Sequence, residues 1–566
     1  MHPKLTLDPV QNEMKSAIGP WFVLFLILTP VVFLAFYLHR PPEVVSANAP
    51  LSEFSAERAF EHLKVLATRT HPVGSPFHDT VRDYIVGVLT KLELRPELQV
   101  SERRDQTSTK VLKFENIVAR LPGTEPGKGT LLLAAHYDTV PQSLGASDDG
   151  SGVVTLLETA AALKARSALK RDVVLLISDG EEVGFDGART FIKSSLFPEI
   201  GLVLNFDARG SRGPVFMFET GDNNYWTMKE FGKVAPFPFT NSLNQQIYGA
   251  LPHNTDFTFF KNRGVPGFNF AYIGGLENYH SANDSLDTVD LRSIQHQGSY
   301  ALALTSHFGN LELNQRPPGN AVFFEGLGRV LISYPEGFVR PIALVISLLS
   351  VGVLVWGWRR RSLSLGWSTL GLLLFFVSAV CTVLMTTLIG VGLNLYFSES
   401  EIQQRGIPLL IGLTALNVAL IVFIYRIGAT NCSFKDLSAG ALIGWLLCML
   451  VVSYYFPLAS YIFQWPLLAS IAAFAINVSL KSSSSNWLTV VATNCLGAAP
   501  GIVLFIWHGQ GLFLAAGLRW PYLLSIAVVL LIGLLLPSIE FLVQSLRVFA
   551  SRGRSSLSRS LLPRVS

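Results

Sequence analysis

The chain has 566 residues, half of them (50%) hydrophobic and only 15% charged, against about 25% charged in an average soluble protein. That length exceeds one compact core, and the composition excludes a disordered chain, a collagen-like chain and an ordinary cytosolic enzyme, leaving a membrane protein. The formal net charge of +4 comes with no basic stripe interleaved with aromatics, which argues against a nucleic-acid partner.

In chain order, residues 1–20 read as a cytoplasmic tail. Trp21–Leu38 is an uninterrupted apolar run, just long enough to cross a bilayer, so residues 21–39 are predicted to be a transmembrane anchor. The Ala47-Asn48-Ala49 pattern suggests signal cleavage, but Pro50 follows it and the apolar run exceeds a usual signal core, so an anchor is favoured. Residues 40–50 read as a linker, 51–315 as a soluble domain and 316–338 as a second linker. Residues 339–546 read as a membrane domain of about seven helices, for about eight spans in all. The runs are Val339–Trp358, Leu365–Tyr396, Ile407–Tyr425, Leu437–Phe456, Ser460–Val478, Trp487–Trp507 and Pro521–Val543. A break is allowed within Leu365–Tyr396, and a re-entrant piece at Gly511–Trp520. Residues 547–566 form a basic cytoplasmic tail.

Lys and Arg set the orientation. Arg359, Arg360 and Arg361 close one span, Arg426, Lys435 and Lys481 fall in later loops of the same side, and Arg547, Arg552, Arg554, Arg559 and Arg564 crowd the tail, whereas acidic Ser398–Glu401 falls opposite. These fit one topology, with both termini cytoplasmic and the 51–315 domain facing away from the cytoplasm. Cys381, Cys432, Cys448 and Cys495 all lie in the membrane half, so the exported domain has neither disulfides nor thiolate ligands. Asn283-Asp284-Ser285 is formally a glycosylation sequon. The membrane half holds few ionisable residues, Glu540 being the clearest. Anchoring or presenting substrate therefore suits it better than transport.

Within the soluble part Thr130–Ala135, Asp172–Ile177 and Leu202–Phe206 read as buried strands and Gly152–Lys164 as an amphipathic helix. The alternation predicts an α/β doubly wound mixed sheet with helices on both faces, in which ligands bind beyond the C-terminal strand ends. Those ends carry His136-Tyr137-Asp138, Asp179-Gly180-Glu181-Glu182 and Asn205-Phe206-Asp207. The loop before the helix holds Ser147-Asp148-Asp149-Gly150-Ser151-Gly152, and Tyr279-His280 comes later. Imidazoles and carboxylates without thiolates suit zinc or a similar divalent ion in a hydrolytic site. Such a set exceeds what one tetrahedral ion needs and would hold a pair with one carboxylate bridging. Of the doubled glutamates, one can ligate while its neighbour acts as general base. Asp138 is spaced to reach the far ring nitrogen of His136. Singly these residues are ordinary strand-end polar groups, helix caps or solvated glutamates; in one order at successive strand ends they are a strong signal.

The set resembles the co-catalytic dizinc exopeptidase family, the clan of aminopeptidase Y and glutamate carboxypeptidase. The layout of one anchor, this domain and a multi-span half resembles its endoplasmic reticulum metallopeptidase and vacuolar membrane protease branch. The motifs cover about Asn116 to Asp290. The resemblance implies a zinc exopeptidase-like fold and two zinc ions, with His136 and Asp207 on one, Glu182 and His280 on the other, and Asp148 bridging. It implies Glu181 as general base and acid, Asp138 as the group orienting His136, Tyr279 as an oxyanion donor and a cis Asp148–Asp149 peptide. Leu251-Pro252-His253-Asn254-Thr255-Asp256 departs from the branch's pattern, and His253 and Asp256 are expected to form pocket wall. His62, His71, His78, His296 and His307 lack the context and are expected to pack or face solvent. The implied activity is hydrolysis of peptide substrates near a chain end, as an aminopeptidase, by a multi-pass protein of the bilayer. The compartment is periplasm, or the lumen of endoplasmic reticulum or vacuole. The alternatives are glutaminyl cyclase and a catalytically inactive receptor or assembly subunit; oligomeric state is open.

Overall fold

A computed structural model describes residues 9–104, 111–249, 253–314, 317–326, 330–397, 401–402, 405–428, 432–480, 487–516 and 522–536. The chain divides into two compact units, Tyr37–Glu336 and Met1–Phe36 with Gly337–Ser566. Glu540, Lys481, Leu251-Pro252 and the tail at 547–566 lie outside the described residues, as do most of Ser398–Glu401 and parts of Gly511–Trp520 and Pro521–Val543.

The first unit is built on a seven-stranded sheet in the order β1-β2-β4-β3-β5-β7-β6. Its strands are β1 Glu97–Arg104, β2 Val111–Leu121, β3 Thr130–His136, β4 Val173–Ser178, β5 Ile200–Phe206, β6 Phe216–Thr220 and β7 Gly267–Ala271. β3 runs parallel to β4 and β5, and β5 parallel to β7, while β1, β2 and β6 pair antiparallel. The sheet is therefore mixed, and the chain crosses from one side of β3 to the other between β4 and β5, which makes the C-terminal end of β3 a switch point.

Alternate residues of the central strands feed opposite faces, as the period of a strand requires. Leu131, Leu133 and Ala135 of β3, with Val173, Leu175 and Ile177 of β4, join the core under the helices Ala56–Leu66, Pro76–Lys91, Gly150–Lys164 and Leu291–Phe308. Leu132, Ala134, Val174 and Leu176 join Phe191, Phe257 and Phe260 on the other face. Each such Val, Leu, Ile or Phe side chain contributes about 1.5–3 kcal/mol of apolar burial. The helix expected to be amphipathic, Gly150–Lys164, is instead buried nearly all round, because the helices Ala56–Leu66 and Leu291–Phe308 cover the side turned away from the sheet. Residues 316–338, expected to be a linker, hold β8 Ala321–Gly326 and β9 Val330–Pro335, an antiparallel hairpin. Ala321 and Phe323 lie in the core, so this stretch completes the unit.

In the second unit six described helices are long and apolar enough to cross a membrane: Glu336–Arg359, Leu365–Tyr396, Gly406–Gly428, Phe434–Tyr455, Tyr461–Ser479 and Leu488–Ile506. Phe22–Leu38 and Tyr522–Leu536 are shorter apolar helices. Leu365–Tyr396 is one continuous helix without a break. Its Gly371 meets Gly440 of Phe434–Tyr455 closely: a Cβ on Gly440 would come within 2.3 Å of the Leu372 nitrogen. Small residues at such a crossing let two backbones approach where no hydrophobic force separates protein from lipid.

Candidate metal centre

Three parallel strands deliver the chemistry. β3 ends at His136, and Asp138 follows two residues on. Beyond it, the Asp148–Asp149 peptide is cis. Asp149 caps the helix Gly150–Lys164, its Oδ1 accepting from the Gly152 N–H (3.0 Å) and its Oδ2 from the His136 N–H (3.1 Å), which ties helix start to strand end. After β4, Gly180 turns at φ 75°, and a Cβ there would lie 2.5 Å from the Phe114 ring. The turn presents Glu181 and Glu182. β5 leads to Asp207, and a 3₁₀ turn at Leu276–Asn278 leads to His280, held at φ 52°. A left-handed histidine is a strained conformation that surrounding contacts must hold.

His136, Asp148 and Asp207 bring one ligand atom each within 4.8 Å of one another, and so do Asp148, Glu182 and His280. The two groups share Asp148. Its Oδ1 lies 3.2 Å from His136 Nε2 and its Oδ2 3.1 Å from His280 Nε2, so each carboxylate oxygen serves a different imidazole. His280 Nε2 also lies 3.1 Å from Glu182 Oε1, yet both atoms are buried and neither makes a hydrogen bond. A buried imidazole nitrogen and carboxylate oxygen that converge without a hydrogen bond are suited to a cation, and the histidine–carboxylate donor set fits a divalent ion such as zinc.

The electrostatics follow from crowding carboxylates in a buried place. Burial, then the charge of Asp148, pushes both Glu182 and Asp207 up to about 7. Burial also acts upward on Asp148, but the His136 and His280 imidazoles beside it hold it down to about 2. Glu181 is raised well above the ordinary carboxyl value by burial, with Asp207, Asp256 and Glu182 adding to the effect. His280, although burial opposes it, is pushed up to about 10 by Asp148 and Glu182.

Asp138 does more than sequence spacing suggested. Its carboxylate accepts from the Glu181 N–H (3.0 Å) and the Glu182 N–H (3.1 Å), holding the turn that carries both glutamates. The His136 Nδ1 lies 3.1 Å from the Asp138 carbonyl oxygen and 3.4 Å from its carboxylate. The Tyr279 ring stacks on His280 at 3.8 Å. Asp256 is buried and accepts from the Ser178 hydroxyl, while half-buried His253 is in neither ligand group. His62, His71, His296 and His307 bond Tyr84, Arg69, Phe237 and Glu230 away from the ligand groups.

Three supporting residues escaped the sequence reading. Asp284 accepts from the Ser147 N–H (2.7 Å) and the Asp148 N–H (3.2 Å), fixing the bridging residue from behind. His78 Nε2 bonds Asp179 Oδ1 at 2.8 Å, and Asp179 Oδ2 accepts from the Glu115 N–H, bracing the start of the glutamate turn. Asp284 stands four residues after His280, and that closeness to a ligand was the available signal; nothing local marked His78. In the membrane unit His508 was also overlooked; it is buried and paired with the Tyr461 hydroxyl at 2.5 Å.

The mixed α/β sheet thus carries, at its C-terminal edge, two histidine–carboxylate groups that share one aspartate and could each hold a metal ion. Residues 116–305 match the model of peptidase family M28. A vacuolar membrane protease of Candida dubliniensis is 26% identical over 426 residues, covering 72% of this chain and 45% of that protein. One from Lachancea thermotolerans is 29% identical over 320 residues, covering 52% and 33%. The chain thus spans less than half the length of these curated relatives. Among solved structures, an aminopeptidase from Aneurinibacillus sp. strain AM-1 superposes with TM-score 0.39 at 14% identity, covering 47% of this chain and 97% of that one. A Porphyromonas gingivalis glutaminyl cyclase superposes with TM-score 0.37 at 20% identity, covering 45% and 98%.

Proposed function

We propose that this multi-pass membrane protein is a zinc-dependent metallopeptidase, an exopeptidase of aminopeptidase type acting on peptides on the non-cytoplasmic side. The observation that carries the reading is Asp148, whose two carboxylate oxygens each face a different histidine of two ligand groups. In this reading His136 and Asp207 hold one ion, Glu182 and His280 the other, and Asp148 both. When bound, the ions would supply Lewis-acid polarisation of the scissile carbonyl and ease deprotonation of water.

The chain's own groups do the rest. Glu181, held at a raised pKa, takes a proton from the attacking water and returns it to the leaving amine. Asp138 keeps that carboxylate in register through the backbone amides of the turn. Tyr279 keeps its proton, because burial and then Asp148 raise its pKa, and so can donate to the developing oxyanion. Its orientation relative to the membrane rests on the Lys/Arg bias of the loops. A glycan on exposed Asn283 in a eukaryotic host would accord with it, and an unmodified Asn283 beside a glycosylated control would count against it.

Elemental mass spectrometry of the detergent-purified chain tests the site. About two zinc ions per chain are expected, both lost in Asp148→Ala, with Glu181→Gln keeping the metal while hydrolysis falls by roughly 10²–10⁴. One ion per chain would overturn the bridged pair. A folded protein without metal would make the domain a receptor or assembly subunit that keeps only the fold.

A further inference from the structure

Arg209 stands two residues beyond Asp207, on a backbone pinned from several sides. Its N–H donates to the Tyr272 carbonyl (3.0 Å), and the N–H groups of Ser211 and Arg212 both donate to the Gly274 carbonyl (2.8 and 2.9 Å). A Cβ on Gly210 would lie 2.4 Å from that same Gly274 oxygen, so the two loops are in backbone contact. The Asn278 amide donates to the Ser211 hydroxyl (2.9 Å), and the Asp290 N–H to the Ser211 carbonyl (2.9 Å). The mount is rigid.

What it carries is a guanidinium without an anion. Among the described residues no carboxylate pairs with Arg209, although its neighbour Arg212 pairs with Glu277 at 2.9 Å. The Arg209 Cζ lies 5.9 Å from the centre of the Tyr279 ring, and that ring stacks on His280. Half-buried Tyr248 lies on the helix Ser242–Gly249, edge-on to Phe218. Burial first, and then Glu219, Asp207 and Glu181, raise the Tyr248 hydroxyl's pKa, while Arg209 acts to lower it. Glu219 is itself paired with Lys261 at 2.9 Å. A half-buried guanidinium on a pinned backbone, beside the Tyr279 ring that stacks on His280, matches a carboxylate, which it can hold with two parallel hydrogen bonds.

We propose that Arg209, beside Tyr279, binds a carboxylate of the substrate on the leaving-amine side of the scissile bond, so that the enzyme prefers short peptides whose free C-terminus or acidic side chain falls there. This rests on the peptidase reading and narrows it to a substrate class. The carboxylate can come from the C-terminus of a dipeptide or from a Glu side chain, and the experiment separates the two.

The zinc-loaded full-length chain in detergent is assayed on Ala-Gln, Ala-Gln-amide and Ala-Glu-amide, beside Arg209→Gln and Arg209→Lys. The expected parent cleaves Ala-Gln about ten- to a hundred-fold better in kcat/KM than its amide, the size of a charge-assisted contact. Recovery with Ala-Glu-amide would assign the contact to a side-chain carboxylate, and no recovery to the C-terminus. Arg209→Gln is expected to erase the preference for the acid over the amide, and Arg209→Lys to restore part of it. Equal cleavage of acid and amide by the parent, or an equal fall on both substrates in Arg209→Gln, would overturn the proposal and leave the peptidase reading standing. Calorimetry with a dipeptide carrying a reduced, uncleavable bond, as acid and as amide, separates the opposite case. Selective binding of the acid, lost in Arg209→Gln, without any peptide cleavage would keep the carboxylate site and remove the peptidase reading. Absence of both binding and cleavage would remove both.

Discussion

Asp138 has no exposed surface, and its two oxygens receive the N–H groups of both glutamates in the turn after β4. Asp138→Asn replaces one acceptor oxygen by an NH₂ that faces a backbone donor, so one of those bonds turns repulsive. The expected result is a loss of roughly 10–100-fold in metal affinity or turnover, with substrate KM little changed. Metal titration beside steady-state kinetics reads it; parent-like values in both would show that the turn holds itself. The proposed ligands were legible in the sequence because each stands next to a strand end or in a short motif. Asp284, Asp179 and His78 were not, because what they do depends on partners more than sixty residues away in the chain.

Among the elements, the hairpin β8–β9 is the one that apolar patterning did not announce. Its first strand is short and follows Pro317-Pro318-Gly319, and its second is only partly buried, so neither showed the long apolar run that made β3, β4 and β5 readable. Its cost is a buried acid. Glu325 accepts from the Thr240 N–H, and burial raises its carboxyl to about 8. In the unfolded chain the same group ionises near 4.3. Between those values the folded state holds a proton the unfolded state has released, so stability is full below about pH 4 and declines as pH rises through about 8. Glu325→Gln, which copies the protonated form, is expected to flatten that decline and to raise the unfolding temperature at pH 8 by several degrees. Thermal unfolding at pH 5, 7 and 8.5 measures it; parallel pH profiles for variant and parent would contradict it.

For the whole molecule, the boundaries that follow are 37–336 for the soluble unit rather than 51–315. Ala321 accepts support from Asn224, whose Oδ1 receives its N–H (2.8 Å), and Phe323 donates its N–H to the Ser242 hydroxyl (3.2 Å). A fragment of residues 37–336 is therefore expected to fold and bind zinc without the membrane helices. One ending at 315 loses a buried Phe, a change that costs about 3–5 kcal/mol in a core, and is expected to unfold far earlier. Equal unfolding temperatures for the two fragments would make the hairpin an appendage. The same hairpin also sets a clock during synthesis. Every proposed zinc ligand has left the ribosome once residue 280 emerges, but the unit closes only when β9 arrives, and β9 ends at Pro335, immediately before the helix that begins the multi-span half. Because domains fold from the N-terminus as they are made, the last step of building the first unit comes just as the first membrane-length helix of the second unit emerges. A pause at that point would leave the first unit lacking one hairpin, with the core surface that Ala321 and Phe323 fill left open.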